Sequence, residues 1–291
     1  MRSYIFTVFF ASCLFFALPL HSQERPYFVA YDHFLEEPGS LEIAWQSSYA
    51  TQRGSGDFLS SLLELEYGVT GWWTTELYLS GQRTLSDSTV FTGVRWENRI
   101  RPFAREHWIN PVLYVEFENV NGADKSMRAV VGHDVEAGNA EPNALLRAER
   151  EREFELKLIL SSQAKGWNIS ENIIAVKNIS NEPWEFGYAL GLSRPLALAA
   201  TPRPCVFCRE NFTAGLEMYG GLGDRHSFGL PNTSHYLAPS LAWSLPRGLA
   251  LRVSPGFGLN SNSHRFLLRW SVAREFSGFG PALRRLLGGR Q

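Results

Sequence analysis

Residues 154–160 read Phe-Glu-Leu-Lys-Leu-Ile-Leu, and residues 184–192 read Trp-Glu-Phe-Gly-Tyr-Ala-Leu-Gly-Leu. In both stretches a large apolar side chain occupies every second position, with Glu, Lys, Gly or Ala in most of the gaps. A period of two sends alternate side chains to opposite faces of an extended strand, so each stretch predicts a strand with one apolar and one polar face. The same rhythm returns at Leu63-Leu65-Tyr67-Val69, Leu113-Val115-Phe117 and Phe266-Leu268-Trp270-Val272. Weaker versions fill 41–52, 72–83, 88–100, 167–177, 211–220, 234–245 and 248–259. The chain therefore predicts about twelve strands, most of them about 10–14 residues long.

Strands of globular proteins usually run to about 5–6 residues, whereas a tilted strand needs about 9–11 to cross a bilayer. Aromatic residues gather near the ends of these segments: Trp45, Tyr49, Trp73, Trp96, Trp167, Trp184, Trp243 and Trp270. That placement suits interfacial girdles around a lipid-facing band. A bilayer admits no open sheet edge, so the expectation is an all-β, transmembrane, antiparallel up-and-down barrel. A secreted β-sandwich with a polar outer face is the soluble alternative. Pro239 and Pro255 fall inside predicted strands, where each removes a ladder hydrogen bond.

Composition agrees with this reading without requiring it. The 291 residues carry 28 Lys+Arg against 29 Asp+Glu, so no basic field marks a nucleic-acid partner. After residue 23 no apolar run approaches the roughly 20 residues of a membrane helix. Before it, Met1-Arg2-Ser3 supplies a positive charge, Tyr4 to Leu20 is almost wholly apolar, and His21-Ser22-Gln23 closes the run. This pattern predicts a secretory signal peptide over 1–23, followed by a barrel over 24–276 and a periplasmic tail over 277–291.

At this point the sequence resembles the bacterial outer-membrane β-barrel proteins, and most of all the transporter-like or phenol-degradation-pathway (MetA-type) barrels. The likeness rests on the alternating segments and on Arg269-Trp270-Ser271-Val272-Ala273-Arg274-Glu275-Phe276. That stretch looks like the terminal-strand signal read by barrel-assembly machinery, with Trp270 and Phe276 as its aromatic marks. The resemblance implies an outer-membrane location, with outer-membrane lipid and the assembly machinery as partners. In the tail, Leu283, Leu286 and Leu287 with Arg284, Arg285 and Arg290 fit either a short amphipathic helix at the membrane surface or a frayed basic end.

Alternation assigns Glu42, Glu64, Glu66, Glu76, Glu97, Glu116, Glu118, Glu155, Glu185, Glu217 and Glu275 to the lumen, with Arg95, Arg99, Lys157, Arg252, Arg265 and Arg269. Acids dominate the early strands and arginines the last ones. Because the last strand of a barrel pairs with the first, Arg265 and Arg269 are expected to face Glu42, Glu64 and Glu66 across the seam. Two readings follow: a small-solute pore with an acidic and a basic side, or a closed structural or docking barrel cross-braced by ion pairs.

Other chemistry has little support. Cys205-Val206-Phe207-Cys208 lacks the following His of a haem attachment site and the second pair of a zinc site. A structural disulfide between Cys205 and Cys208 is the favoured reading, with a redox pair as the alternative. His226-Ser227 and Ser263-His264 are adjacent Ser/His pairs, and neighbours on a strand point to opposite faces. No catalytic residue, metal site or cofactor is assigned. Asp124, His133, Asp134, Glu136 and Glu141 read as a solvated loop.

Overall fold

A computed structural model describes residues 25–288, apart from 53–55, 134–140, 181, 200 and 202–204. The signal-peptide prediction over 1–23 lies outside the described residues, as do Asp134, Glu136 and Arg290. The chain forms one closed antiparallel barrel of twelve strands. They are β1 (Leu41–Ala50), β2 (Phe58–Thr70), β3 (Trp73–Thr84), β4 (Thr89–Ile100), β5 (Asn110–Asn121) and β6 (Arg150–Ala164). The second half comprises β7 (Trp167–Asn178), β8 (Trp184–Pro195), β9 (Phe212–Asp224), β10 (His235–Leu245), β11 (Leu249–Gly258) and β12 (Phe266–Phe276). Two short helices accompany them, α1 (Asn143–Leu146) and α2 (Phe279–Leu286). Each strand pairs with its sequence neighbours, and β12 closes onto β1.

The burial pattern inverts that of a water-soluble core. Outward-facing Leu156 and Ile173 are 40% and 55% exposed, while inward-facing Glu97 and Glu116 are fully buried. Trp45, Trp96 and Trp167 also stand exposed on the outer face. No helix among the described residues is long and apolar enough to cross a membrane.

The two ends of the barrel differ. Both ends of the described chain lie at one end, together with short turns such as Lys165-Gly166, whose positive φ values (51° and 82°) match the hairpin turns that suit twisted strands. The other end carries the long β5–β6 connection and is called the loop end below. Pro239 and Pro255 both sit at an interruption of the β10–β11 ladder. Pairing stops at Leu237–Phe257 and resumes at Leu241–Val253, and the Ser254 hydroxyl donates to the Pro239 carbonyl at 3.0 Å. The strands survive because the two missing N–H groups fall in one gap.

Residues 25–40 add no strand to the wall. They run through the lumen as a strap, from Pro26 beside β9 to Gly39, whose N–H donates to Gly68 of β2 at 2.7 Å. Tyr27, Val29 and Ala30 belong to the largest buried cluster, alongside Met127 and Val130 from the inward-folded β5–β6 connection. The barrel core thus forms where these two inner segments meet inward-facing wall residues such as Phe58, Ile174, Tyr219 and Tyr236.

A lumen with a charged wall and an N-terminal strap

Register places seven glutamates side by side on successive strands. Glu275 faces Glu42, which faces Glu66; Glu66 faces Glu76, Glu76 faces Glu97, Glu97 faces Glu116, and Glu116 faces Glu155. Directly opposed like charges destabilise a sheet, so this belt needs cations threaded into it. Arg99 supplies the first. Its guanidinium donates to Glu76 at 2.8 Å and to Glu66, and lies 3.2 Å from Glu97. Arg95 donates to Glu118 at 2.7 Å, to Asp124 at 2.6 Å and to the Ser80 hydroxyl at 2.9 Å. Lys157 pairs with Glu155 at 2.5 Å. Arg128, from the β5–β6 connection, meets Glu97 at 3.3 Å and stacks 4.0 Å over the Tyr78 ring. Buried carboxylates tolerate this interior only because arginine forks and hydroxyls reach them.

The strap is held by side chains of the wall rather than by a backbone ladder. Glu217, fully buried on β9, accepts the backbone N–H groups of Phe28, Val29 and Ala30 at 2.8–3.1 Å. Asn172 brackets Tyr31, accepting its N–H at 2.6 Å and donating to its carbonyl at 2.9 Å. The Tyr27 hydroxyl lies 2.9 Å from Ser193 and 3.0 Å from Asn168. The Tyr31 hydroxyl donates to Glu97 at 3.0 Å, while Lys157 lies 4.8 Å from its ring. His33 Nδ1 lies 2.8 Å from the Ser161 hydroxyl, and burial pushes its imidazole below the ordinary histidine range. Arg252 donates to the Tyr27 carbonyl at 3.3 Å and sits over Phe28.

The strap skirts the β6–β9 side and leaves space on the other. A cavity of about 510 Å³ opens at the end where both ends of the described chain lie, between the strap and β10, β11, β12, β1 and β2. Glu36, Glu42, Glu64, Glu66, Glu76 and Glu275 line it, with Arg25, Arg99, Arg128, Arg247 and Arg252. Towards the loop end lies a separate void of about 10 Å³ between Phe28, Gln46, Ser47, Ser48, Ser60, Leu62, Ser126, Arg128 and Arg269. That is room for about one water molecule.

Two expected placements are overturned. Arg269 lies in register with Ser48, and the residue opposite Glu42 is Glu275. In an antiparallel seam the end of β12 meets the start of β1, so Arg269 lies away from the carboxylates and donates to the Met127 carbonyl at 2.7 Å. Arg265 precedes β12 and stands exposed at the loop end beside Thr51, Gln52 and Asn260, outside the lumen. Asp124 is committed to Arg95 rather than to a solvated loop. Cys205 and Cys208 are joined by a disulfide in the β8–β9 connection. In neither adjacent pair does the Ser hydroxyl meet the His ring among the described contacts. His226 and Ser227 both donate backbone N–H groups to Asp224, and His264 Nδ1 lies 3.0 Å from the Thr51 carbonyl.

The strap and Arg128 were not anticipated. The strap's sign in the sequence is Tyr27-Phe28-Val29-Ala30-Tyr31, an apolar run before β1 that belongs to no predicted strand.

The sequence matches no family model and no curated protein. Among solved structures, the chain is similar to an outer membrane channel from Pseudomonas putida F1, with 12% identity and a TM-score of 0.50 over 87% of this chain and 100% of that one. It is also similar to the KdgM porin, with 8% identity and a TM-score of 0.45 over 81% and 98%. The fold is that of a bacterial outer-membrane β-barrel.

Proposed function

We propose that this chain is a channel of the Gram-negative outer membrane that passes a small solute, and that the N-terminal strap holds it shut at rest. The end carrying Arg25, α2 and the short turns faces the periplasm, and the loop end faces outward. The observation that carries the reading is the strap's attachment. Glu217, Asn172, Asn168 and Ser193 hold it by side-chain hydrogen bonds, so it can leave without unzipping the barrel. The likeness in fold to a channel of known structure supports the same class. The solute's route runs along the wall of β10–β12, β1 and β2, through the acidic cavity and the small void at Arg128 and Arg269. With acids outnumbering bases on the cavity wall, the mouth concentrates cations over anions. Membership of the MetA-type barrels, and assembly through the Trp270–Phe276 signal, belong to this proposal.

A planar-bilayer recording tests it. Replacing Glu217 by Ala leaves three buried N–H groups unpaired and weakens seating of the strap by about 3 kcal/mol, a shift of roughly a hundredfold towards the released state. The expected result is frequent opening in Glu217→Ala and rare opening in the unchanged barrel. A silent Glu217→Ala barrel that still migrates as a folded species favours the second reading, a closed structural barrel. The filled lumen, with its fully buried ion pairs, is the observation on that side.

A further inference from the structure

The β8–β9 connection, residues 196–211, is long for a turn at the periplasmic end. Beside it the outer wall carries a groove of about 500 Å³. Its sides are Trp167, Leu192, Leu198 and Leu216, and its floor contains Ala214. These side chains lie on the outer face: the flanking strand residues Ser193 and Thr213 are buried in the lumen, while Leu192 and Leu216 are 39% and 40% exposed. Leu198 is held over the β6–β7 turn, where a Cβ at Gly166 would come within 2.2 Å of its methyl group. The volume falls in the range of about 300–1,000 Å³ typical of small-molecule sites.

One charged group stands in this apolar surface. Arg194, opposite Ala214 in the β8–β9 register, lies 5.2 Å from the Trp167 ring and forms no ion pair among the described residues. A guanidinium beside an indole at the rim of a lipid-facing band is placed to meet a phosphate, which it matches with two parallel N–H donors. The apolar groove below it continues the band and offers a bed for an acyl chain. We infer that Arg194, Trp167 and the Leu192–Leu198 groove form a binding site for one glycerophospholipid of the periplasmic leaflet, with its phosphate on Arg194 and one chain along Leu198 and Leu216. The Cys205–Cys208 disulfide and the contact of Phe207 with Trp243, 4.8 Å between ring centres, hold the same connection against the wall beside the site. The inference rests on the membrane reading of the outer wall and needs no transport.

The test uses the purified full-length barrel, its fold checked by heat-modifiable migration on a gel. Native mass spectrometry follows retention of palmitoyl-oleoyl phosphatidylglycerol and of the diacylglycerol that lacks its headgroup. The expected result is one phosphatidylglycerol retained by the unchanged protein, about tenfold weaker retention in Arg194→Gln, and weak diacylglycerol retention in both. Leu198→Ser weakens both lipids, and Arg284→Gln on α2 weakens neither. Equal retention of phosphatidylglycerol by Arg194→Gln and the unchanged barrel overturns the site alone. A chain that stays in the aqueous fraction overturns it together with the membrane reading, and conductance of Glu217→Ala is scored separately from both.

Discussion

The inner wall of this barrel has two unlike halves. From β3 to β6 it is built of Tyr78, Arg95, Glu97, Arg99, Tyr114, Glu116 and Lys157, large groups locked together by ion pairs and hydroxyls. From β11 through β12 to β1 the inward positions are mostly small: Ala44, Ser48, Ala250, Ser254, Ser271 and Ala273. The first half braces the barrel and leaves little room. The second makes few cross-lumen contacts, and the cavity lies against it. The difference teaches that bracing and open space lie on opposite sides of one wall, with the strap and Arg128 between them.

Three changes break or sharpen that contrast. The largest effect is expected on the braced half. Arg99→Met leaves Glu66, Glu76 and Glu97 without their shared cation, and about 3–5 kcal/mol of stability is lost. The shift of the urea midpoint measures this, and a change below about 1 kcal/mol shows that the belt does not brace the barrel. The next concerns His264, at the loop end of the small-residue half, buried with its ring edge-on to Phe58. Burial pushes its imidazole down to about 4. The unfolded chain takes up this proton near pH 6.5, so between pH 6.5 and 4 the unfolded state binds more protons and stability falls as pH drops. The loss reaches about 3 kcal/mol at pH 4, and His264→Gln is expected to remove it. Matching acid limbs in the two urea titrations would place His264 outside the folded core. The smallest effect is on passage. Ala250→Trp fills the cavity from the small side and is expected to cut open-channel conductance several-fold while the heat-modifiable fold persists. Undiminished conductance moves the route elsewhere.

Much of this architecture was legible from the period of two. The alternation at Phe154–Leu160 and Trp184–Leu192 sets faces as well as strands, which is why Glu64, Glu76, Arg95, Glu116 and Glu118 read as lumen residues from the sequence alone. Register was not legible. Pairing of Glu42 with Glu275 instead of Arg269 follows from the antiparallel seam, which sets the end of β12 against the start of β1, and a period of two carries no information about which positions stand opposite. The strap was missed for a related reason. Tyr27 to Tyr31 is held by Glu217 and Asn172, nearly two hundred positions away in the first case, and such contacts leave no local pattern. Pro239 and Pro255 misled in the opposite direction, since each looks disruptive alone and they are accommodated together.

The account turns on whether the strap is a removable stopper, and a barrel lacking residues 25–37 asks this directly. Recorded in a planar bilayer under a potassium chloride gradient, it is predicted to show steady open steps with a reversal potential on the cation side. A correctly folded barrel that stays silent after this removal would contradict the account.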